Sequence, residues 1–183
     1  MTDKRISPND VDRLLARFED KGRVFAPIRD DADEVVLAEL APDEPVVLEY
    51  RNFRLSPKAF FLPQNQTLLS FQDGKAVEPD LPERETILFG VRPCDARALL
   101  ALDRVFLDGD PRDPYYAHLR SRTTVISLAC AQPMSSCFCT SVGGSPIHDK
   151  GLDLMMVDLE TDYLIQACTE KGEALLTAGP GKA

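Results

Sequence analysis

The apolar positions of this chain change their period along its length. Over residues 7–21, Val11, Leu14, Leu15 and Phe18 recur at the three-and-four spacing of a helix with one apolar face. Ser7 is placed to cap that helix, Pro8 suits its first position because the N–H there needs no partner, Asp10 serves the first turn and Gly22 ends it. The spacing predicts a docking helix within residues 1–22. From Gly22 to Val77 the pattern breaks into short apolar runs, VFAPI, VVLAEL, VVLEY, AFFLPQ and LLSF, separated by Pro, Asp and Gly and closed by a QDG turn. Runs of that length and punctuation predict strands and hairpins, a β-rich part over residues 23–84.

The second half reads differently. ETILFGV at 85–91 and TTVISLA at 123–129 are near-continuous apolar runs, the signature of strands buried on both faces of a sheet. The first ends at Arg92-Pro93-Cys94-Asp95, where Asp95 is a candidate cap for a helix through Ala96, Leu99, Leu100, Leu102 and Phe106. The second runs straight into a loop from Cys130 to Cys139. LDLMMVDL, a Glu160-Thr161-Asp162 turn, YLIQA and a short helix after Thr169 complete an α/β part over 85–177, and 178–183 reads as a flexible tail. The whole predicts one α/β (or α+β) domain over 1–177 with cysteine loops at strand ends. Ligands bind outside the carboxyl ends of parallel strands, so the two apolar runs, if parallel neighbours, bring Cys94 and Cys130 together.

Composition narrows the function classes. Of 183 residues, 44% are hydrophobic, enough to bury a core, and 21 Lys and Arg stand against 30 Asp and Glu, a formal net charge of −9. That balance opposes general affinity for nucleic acid or an anionic membrane. No apolar run is long enough for a membrane span, and MTDKRISPNDVDRLL lacks the apolar core of an export signal, so the expected location is the cytoplasm.

The five cysteines change the picture most. An odd number without an export signal suits metal binding or redox chemistry better than a disulfide framework. Cys130, Cys137 and Cys139 form C-x6-C-x-C, with Cys94 upstream in R-P-C-D. Four thiolates match a tetrahedral zinc ion or a [4Fe-4S] cluster in number. The spacing favours the cluster, since zinc knuckles use C-x2-C pairs, and C-x-C sets two sulfurs awkwardly around one small ion. Pro93 and Pro133 stiffen the loops, Phe138 is positioned to shield sulfur, and Ser135, Ser136, Thr140, Ser141, Gly143 and Gly144 offer donors and close backbone approach. Arg92 and Arg97 can offset the charge of a thiolate cluster or hold an anionic cofactor; equally, Arg92 and Asp95 can form a local ion pair and turn cap.

Other readings stand beside this one. Cys168, within YLIQAC, reads as a small buried hydrophobe. Cys94 at a helix start has the dipole that activates a nucleophile, but only His118 and His148 are available as bases, and both read as surface residues. The acidic runs 30–34 and 108–113 read as solvated turns. A scaffold with zinc or an empty four-cysteine site is the alternative class. A flavin or nucleotide site using Arg92, Asp95 and Gly143-Gly144 ranks third, because no G-x-G-x-x-G or phosphate-loop pattern is present.

Several stretches carry a family likeness. SPKAFFLPQNQTLLSF, ILFGVRPCDARALLALDRVF, DPYY, TTVISLACAQPMSSCFCTSVGGSP, GLDLMMVDL and YLIQACTEKGEALL span nearly the whole chain. Together they resemble the N-terminal domain of the beta subunits of soluble sulfhydrogenases and of the related electron-transfer component of anaerobic sulfite reductase. The ordered pair G-V-R-P-C-D and A-C-x2-P-x3-C-F-C-x-S-x-G carries most of the likeness. The strand-end cysteine is more distantly similar to the P-C motif in beta subunits of deazaflavin-reducing hydrogenases. The resemblance implies an iron–sulfur electron-transfer subunit, with Cys94, Cys130, Cys137 and Cys139 as ligands of one cluster. It also implies a flavoprotein or ferredoxin-type partner carrying FAD, and a catalytic hydrogenase or reductase subunit. Full-length members continue into a ferredoxin-like domain with C-x2-C-x2-C-x3-C runs for two further clusters; these 183 residues contain no such run.

Overall fold

Ile87, Phe89, Ile126, Leu128, Leu154 and Met156 are buried in one apolar cluster, while the intervening Leu88, Val125 and Met155 are buried in another. Alternation of that kind requires a sheet covered on both faces. The computed structural model describes residues 3–42 and 44–177. Its strands are β1 (Asp3–Ile6), β2 (Gly22–Arg29), β3 (Val35–Glu39), β4 (Ser70–Gln72), β5 (Lys75–Val77), β6 (Glu85–Val91), β7 (Thr123–Leu128), β8 (Leu154–Asp158) and β9 (Tyr163–Ala167). Its α-helices are α1 (Val11–Glu19), α2 (Pro93–Phe106), α3 (Pro114–Ser121) and α4 (Glu170–Thr177). Seven strands form one mixed sheet in the order β1-β9-β8-β7-β6-β2-β3, and β4 pairs with β5 in a separate hairpin. The central β2, β6, β7 and β8 are parallel, whereas β3, β9 and β1 join antiparallel.

The α/β expectation is met: α1 and α4 pack on one face and α2 and α3 on the other. Leu154 is completely buried in the first cluster. Leu154→Ala is expected to cost about 2–5 kcal/mol, from lost transfer free energy and the cavity left behind. The check is the shift in urea unfolding midpoint, and a loss under about 1 kcal/mol would overturn this placement.

Four details differ from the sequence reading. The N-terminal helix begins with a 3-10 turn at Pro8–Asp10, where the Ser7 hydroxyl accepts from the Asn9 N–H, and α1 turns Val11, Leu14, Leu15 and Phe18 inward. The apolar face of this helix is docked on the sheet of its own domain. Asp3–Ile6, unremarkable in polarity, adds to the sheet as an edge strand on β9. Neither VVLEY nor AFFLPQ forms a strand: residues 45–53 are an irregular strap whose Val46, Leu48 and Tyr50 pack on the first cluster, and Pro57–Phe60 is a 3-10 turn capped by Ser56. Asp95 is not a helix cap: Pro93 takes the first helical position and Arg92 stands at the N-cap, leaving Asp95 in the first turn. Residues 178–183, expected to form a tail, lie outside the described residues. Among the described residues no helix is long and apolar enough to cross a membrane.

Candidate cysteine site at the strand ends

β6 and β7 are parallel neighbours, so the segments bearing Cys94 and Cys130 leave the same edge of the sheet. A kink precedes the first. The β6–β7 register slips between Phe89 and Val91, and Gly90 sits between them at φ +82°. A Cβ there would lie 2.6 Å from the Pro27 ring and 3.0 Å from the Tyr50 hydroxyl. Glycine is thus required by both the left-handed backbone and the space. The Tyr50 hydroxyl donates to the Gly90 carbonyl, and burial pushes its ionisation well above the ordinary tyrosine range.

Arg92 follows, only 5% exposed. Its guanidinium lies over the Tyr50 ring at 3.9 Å and donates to four carbonyls: Tyr50, Arg51 at 3.2 Å, Leu128 at 3.2 Å and Ala129 at 3.1 Å. It joins the strap to the end of β7, one residue before Cys130. The Ser127 hydroxyl makes a second tie between the strand ends, donating to the Val91 carbonyl at 2.7 Å. No carboxylate pairs with Arg92 among the described residues; the expected Arg92–Asp95 bridge does not form, and burial raises the Asp95 carboxyl while the Arg92 charge opposes that shift.

The loop leaving β7 folds back on α2. Cys130 N–H donates to the Pro146 carbonyl at 3.0 Å, closing its base. Inside it, the Met134 N–H donates to the Cys137 sulfur at 3.2 Å while the Cys137 N–H returns to the Met134 carbonyl at 3.0 Å. A 3-10 turn at Cys139–Val142 ends at Gly143, φ +72°, and the Gly144 N–H donates to the Cys139 carbonyl at 2.8 Å. Gly143 and Gly144 lie against the Arg97 guanidinium, where a Cβ on Gly144 would come within 3.1 Å. Gly151, φ +80°, seats the returning chain on the Ala96 carbonyl. Beside the site, a cleft of about 390 Å³ is lined by Tyr50, Arg92, Leu128, Ala129, Gln132 and Tyr163, among others.

Cys94, Cys130, Cys137 and Cys139 are free thiols, Cys94 and Cys137 exposed and the other two half-buried. Cys94 and Cys139 interact electrostatically, as do Cys130 and Tyr50. The four cysteines thus belong to one edge and one loop. Among the described residues, however, no three Cys, His, Asp or Glu side chains are gathered as a set that holds a metal ion. The donor chemistry fits a thiolate-bound metal group: soft ligands on turns with backbone N–H donors nearby.

Partial burial is the largest influence on the Cys94 thiol and raises it, with the Asp95 and Cys139 charges adding to the shift. A helix-start nucleophile would need the opposite shift. His118 lies at the other end of the strands, 2.7 Å from the Pro82 carbonyl, and the His148 ring accepts from Lys150 N–H at 3.1 Å. Phe138 is 67% exposed. Cys168 is half-buried after β9 and packs against the second cluster. Sequence reasoning missed Tyr50; the glycine interrupting β6 was the only local sign of an intruding side chain.

No family model and no solved structure matches the chain. It is 30% identical over 156 residues, 85% of its length, to sulfhydrogenase 2 subunit beta of Pyrococcus furiosus. The match covers 45% of that protein, so the chain spans less than half the length of the relative. Over that match, the chain is similar to the N-terminal domain of the sulfhydrogenase beta-subunit family.

Proposed function

We propose that this chain is an iron–sulfur electron-transfer module of a hydrogenase-type or sulfur- or sulfite-reductase-type complex, with Cys94, Cys130, Cys137 and Cys139 holding one [4Fe-4S] cluster. The observation that supports this reading is that the segment bearing Cys94 and the loop bearing Cys130, Cys137 and Cys139 leave the same edge of two adjacent parallel strands. The relative, a beta subunit of a sulfhydrogenase by name, supports it. When bound, such a cluster supplies one-electron transfer, and the protein supplies ligation, charge and access.

In this reading Arg92 sets a buried positive charge beside the segments that carry Cys94 and Cys130. Arg97 holds the Gly143-Gly144 turn against α2, and the N–H contact to Cys137 suits a thiolate better than a thiol. FAD belongs to a partner subunit, and a catalytic hydrogenase or reductase subunit completes the path. No substrate chemistry is assigned to this chain.

The test is iron, acid-labile sulfide and zinc content after anaerobic reconstitution. About four iron and four sulfide per chain are expected. Cys137→Ser and Cys139→Ser should lose most of the iron, while Cys168→Ser should retain it. Stoichiometric zinc, or equal iron in all three variants, would overturn the assignment.

A further inference from the structure

At the opposite edge of the sheet, where β2, β6 and β7 begin, arginines converge in an otherwise acidic chain. Arg23 belongs to β2, Arg84 precedes β6 and Arg122 precedes β7. With His118 of α3 they line a cleft of about 120 Å³ walled by Phe25 and Phe60. The two rings meet edge to face at 4.7 Å, and the Arg23 guanidinium lies over Phe25 at 4.9 Å. Lys171 adds a further cation to this end, its ammonium donating to the Ser121 and Thr123 carbonyls at 2.8 Å each.

The local charge is not balanced. Arg23 grips Glu39 through two hydrogen bonds of 2.9 and 2.6 Å, and Arg122 meets Glu85 at 3.2 Å. Arg84 has no ion pair of its own among the described residues; its one hydrogen bond, to the Gly22 carbonyl, is long at 3.4 Å. The ring nitrogen of His118 that faces the Pro82 carbonyl must carry its proton, since a carbonyl only accepts. The Arg84 charge is felt by Glu39 without a direct ion pair, so this edge offers a guanidinium with open donors beside two that are paired, on an aromatic wall that excludes water from one side and strengthens charge-assisted hydrogen bonds.

We propose that this cleft binds a small oxyanion, a phosphate or carboxylate group, with Arg84 as its principal donor and Arg122 alongside. The volume sets the class: ordinary ligand pockets run to roughly 300–1,000 Å³, so this one takes a single anionic group and not a whole nucleotide. The site is on the opposite strand edge from the cysteines and does not depend on any cluster there.

Calorimetric titration of the whole 183-residue chain at low ionic strength, with inorganic phosphate in one arm and acetate in another, tests it against chloride at matched ionic strength. Saturable binding of phosphate or acetate beyond chloride is expected, and the arm that binds more tightly identifies the source. Arg84→Gln should weaken that binding at least tenfold, with an unchanged unfolding midpoint in the absence of anion. Arg104→Gln, on α2 outside the cleft, should bind as the unmodified chain does. No saturable heat above chloride, or equal affinity in Arg84→Gln, would overturn the proposal. Neither outcome bears on the metal content of the cysteine edge.

Discussion

Arg92→Met is expected to destabilise the domain by about 3–5 kcal/mol and to loosen both cysteine-bearing strand ends at once. Methionine keeps most of the length and none of the donors, so the carbonyls of Tyr50, Arg51, Leu128 and Ala129 lose their shared partner. A buried acceptor left unpaired costs about 1–3 kcal/mol, and hydrogen bonds from a charged donor lie at the upper end of the usual range. Water relieves part of this at the carbonyls that are only half-buried, which keeps the total below the simple sum. The stacking on Tyr50 is lost as well. For a domain of this size each kcal/mol moves the thermal midpoint by roughly 2–4 °C, so a fall of roughly 6–20 °C is expected.

Arg92→Lys separates charge from geometry. An ammonium keeps the positive charge but cannot span four carbonyls with a planar fork. It should recover little of the stability, whereas a requirement for charge alone would be satisfied by lysine. Calorimetric unfolding of both variants checks this. A loss under about 1 kcal/mol in Arg92→Met would show that the guanidinium network does not bind the strap to the strand ends.

Gly151→Ala is the second large effect, expected at about 2–5 kcal/mol. Two costs combine there. The backbone stands at φ +80°, which for an L side chain costs about 1–2 kcal/mol. The new methyl would also lie 2.1 Å from the Ala96 carbonyl oxygen, which is backbone and cannot swing aside. The cysteine loop must then lift from α2, an overpacking cost of about 1–3 kcal/mol. Gly74→Ala isolates the first cost, because Gly74 has φ +76° with nothing within 4 Å of its added Cβ. Gly74→Ala should therefore cost only about 1–2 kcal/mol. If the two variants unfold at the same urea concentration, the close seating of the loop on α2 is wrong. Protease cleavage within residues 130–150 should also speed up in Gly151→Ala and stay unchanged in Gly74→Ala.

The parts of the fold that were legible in the sequence are those whose environment is uniform along a segment. Residues 87–91 and 123–128 are buried on both faces, so every position had to be apolar or small, and the run could be read without a partner. α1 was legible for the complementary reason, since one face of a helix is buried and the spacing records it. β1 was not, because an edge strand needs only backbone partners on β9, and its Asp3, Lys4, Arg5 and Ile6 carry no strong pattern. VVLEY misled because alternation describes which side chains point inward, and Val46, Leu48 and Tyr50 do point inward although the segment makes a single backbone bond to β2, from the Val47 N–H to the Pro27 carbonyl, and no ladder.

The cysteine edge divides in the same way. The residue types, C-x6-C-x-C and the placement of R-P-C-D after an apolar run are local properties, and they identified the chemistry to be looked for. The Asp95 cap failed on a local contest that Pro93 wins, because proline presets the first helical turn and moves the boundary back to Arg92. Phe138 could be assigned as a shield from its hydrophobicity but is exposed, since nothing in its immediate sequence neighbourhood reports which way a loop faces.

By itself, then, the sequence determined the fold class, the two buried strands whose ends carry Cys94 and Cys130, and the donor types available there, while their parallel pairing came from the structure. Only the tertiary structure decided that Arg92 meets Tyr50 across 42 positions, that the cysteine loop rests on α2 through Gly151, and that Arg84, Arg122 and His118 share a cleft at the far edge. The physical reason is one of range. Burial and backbone preference act on each residue where it stands, whereas a carbonyl cage or a cluster of like charges exists only after distant segments have been brought together by the burial of everything between them.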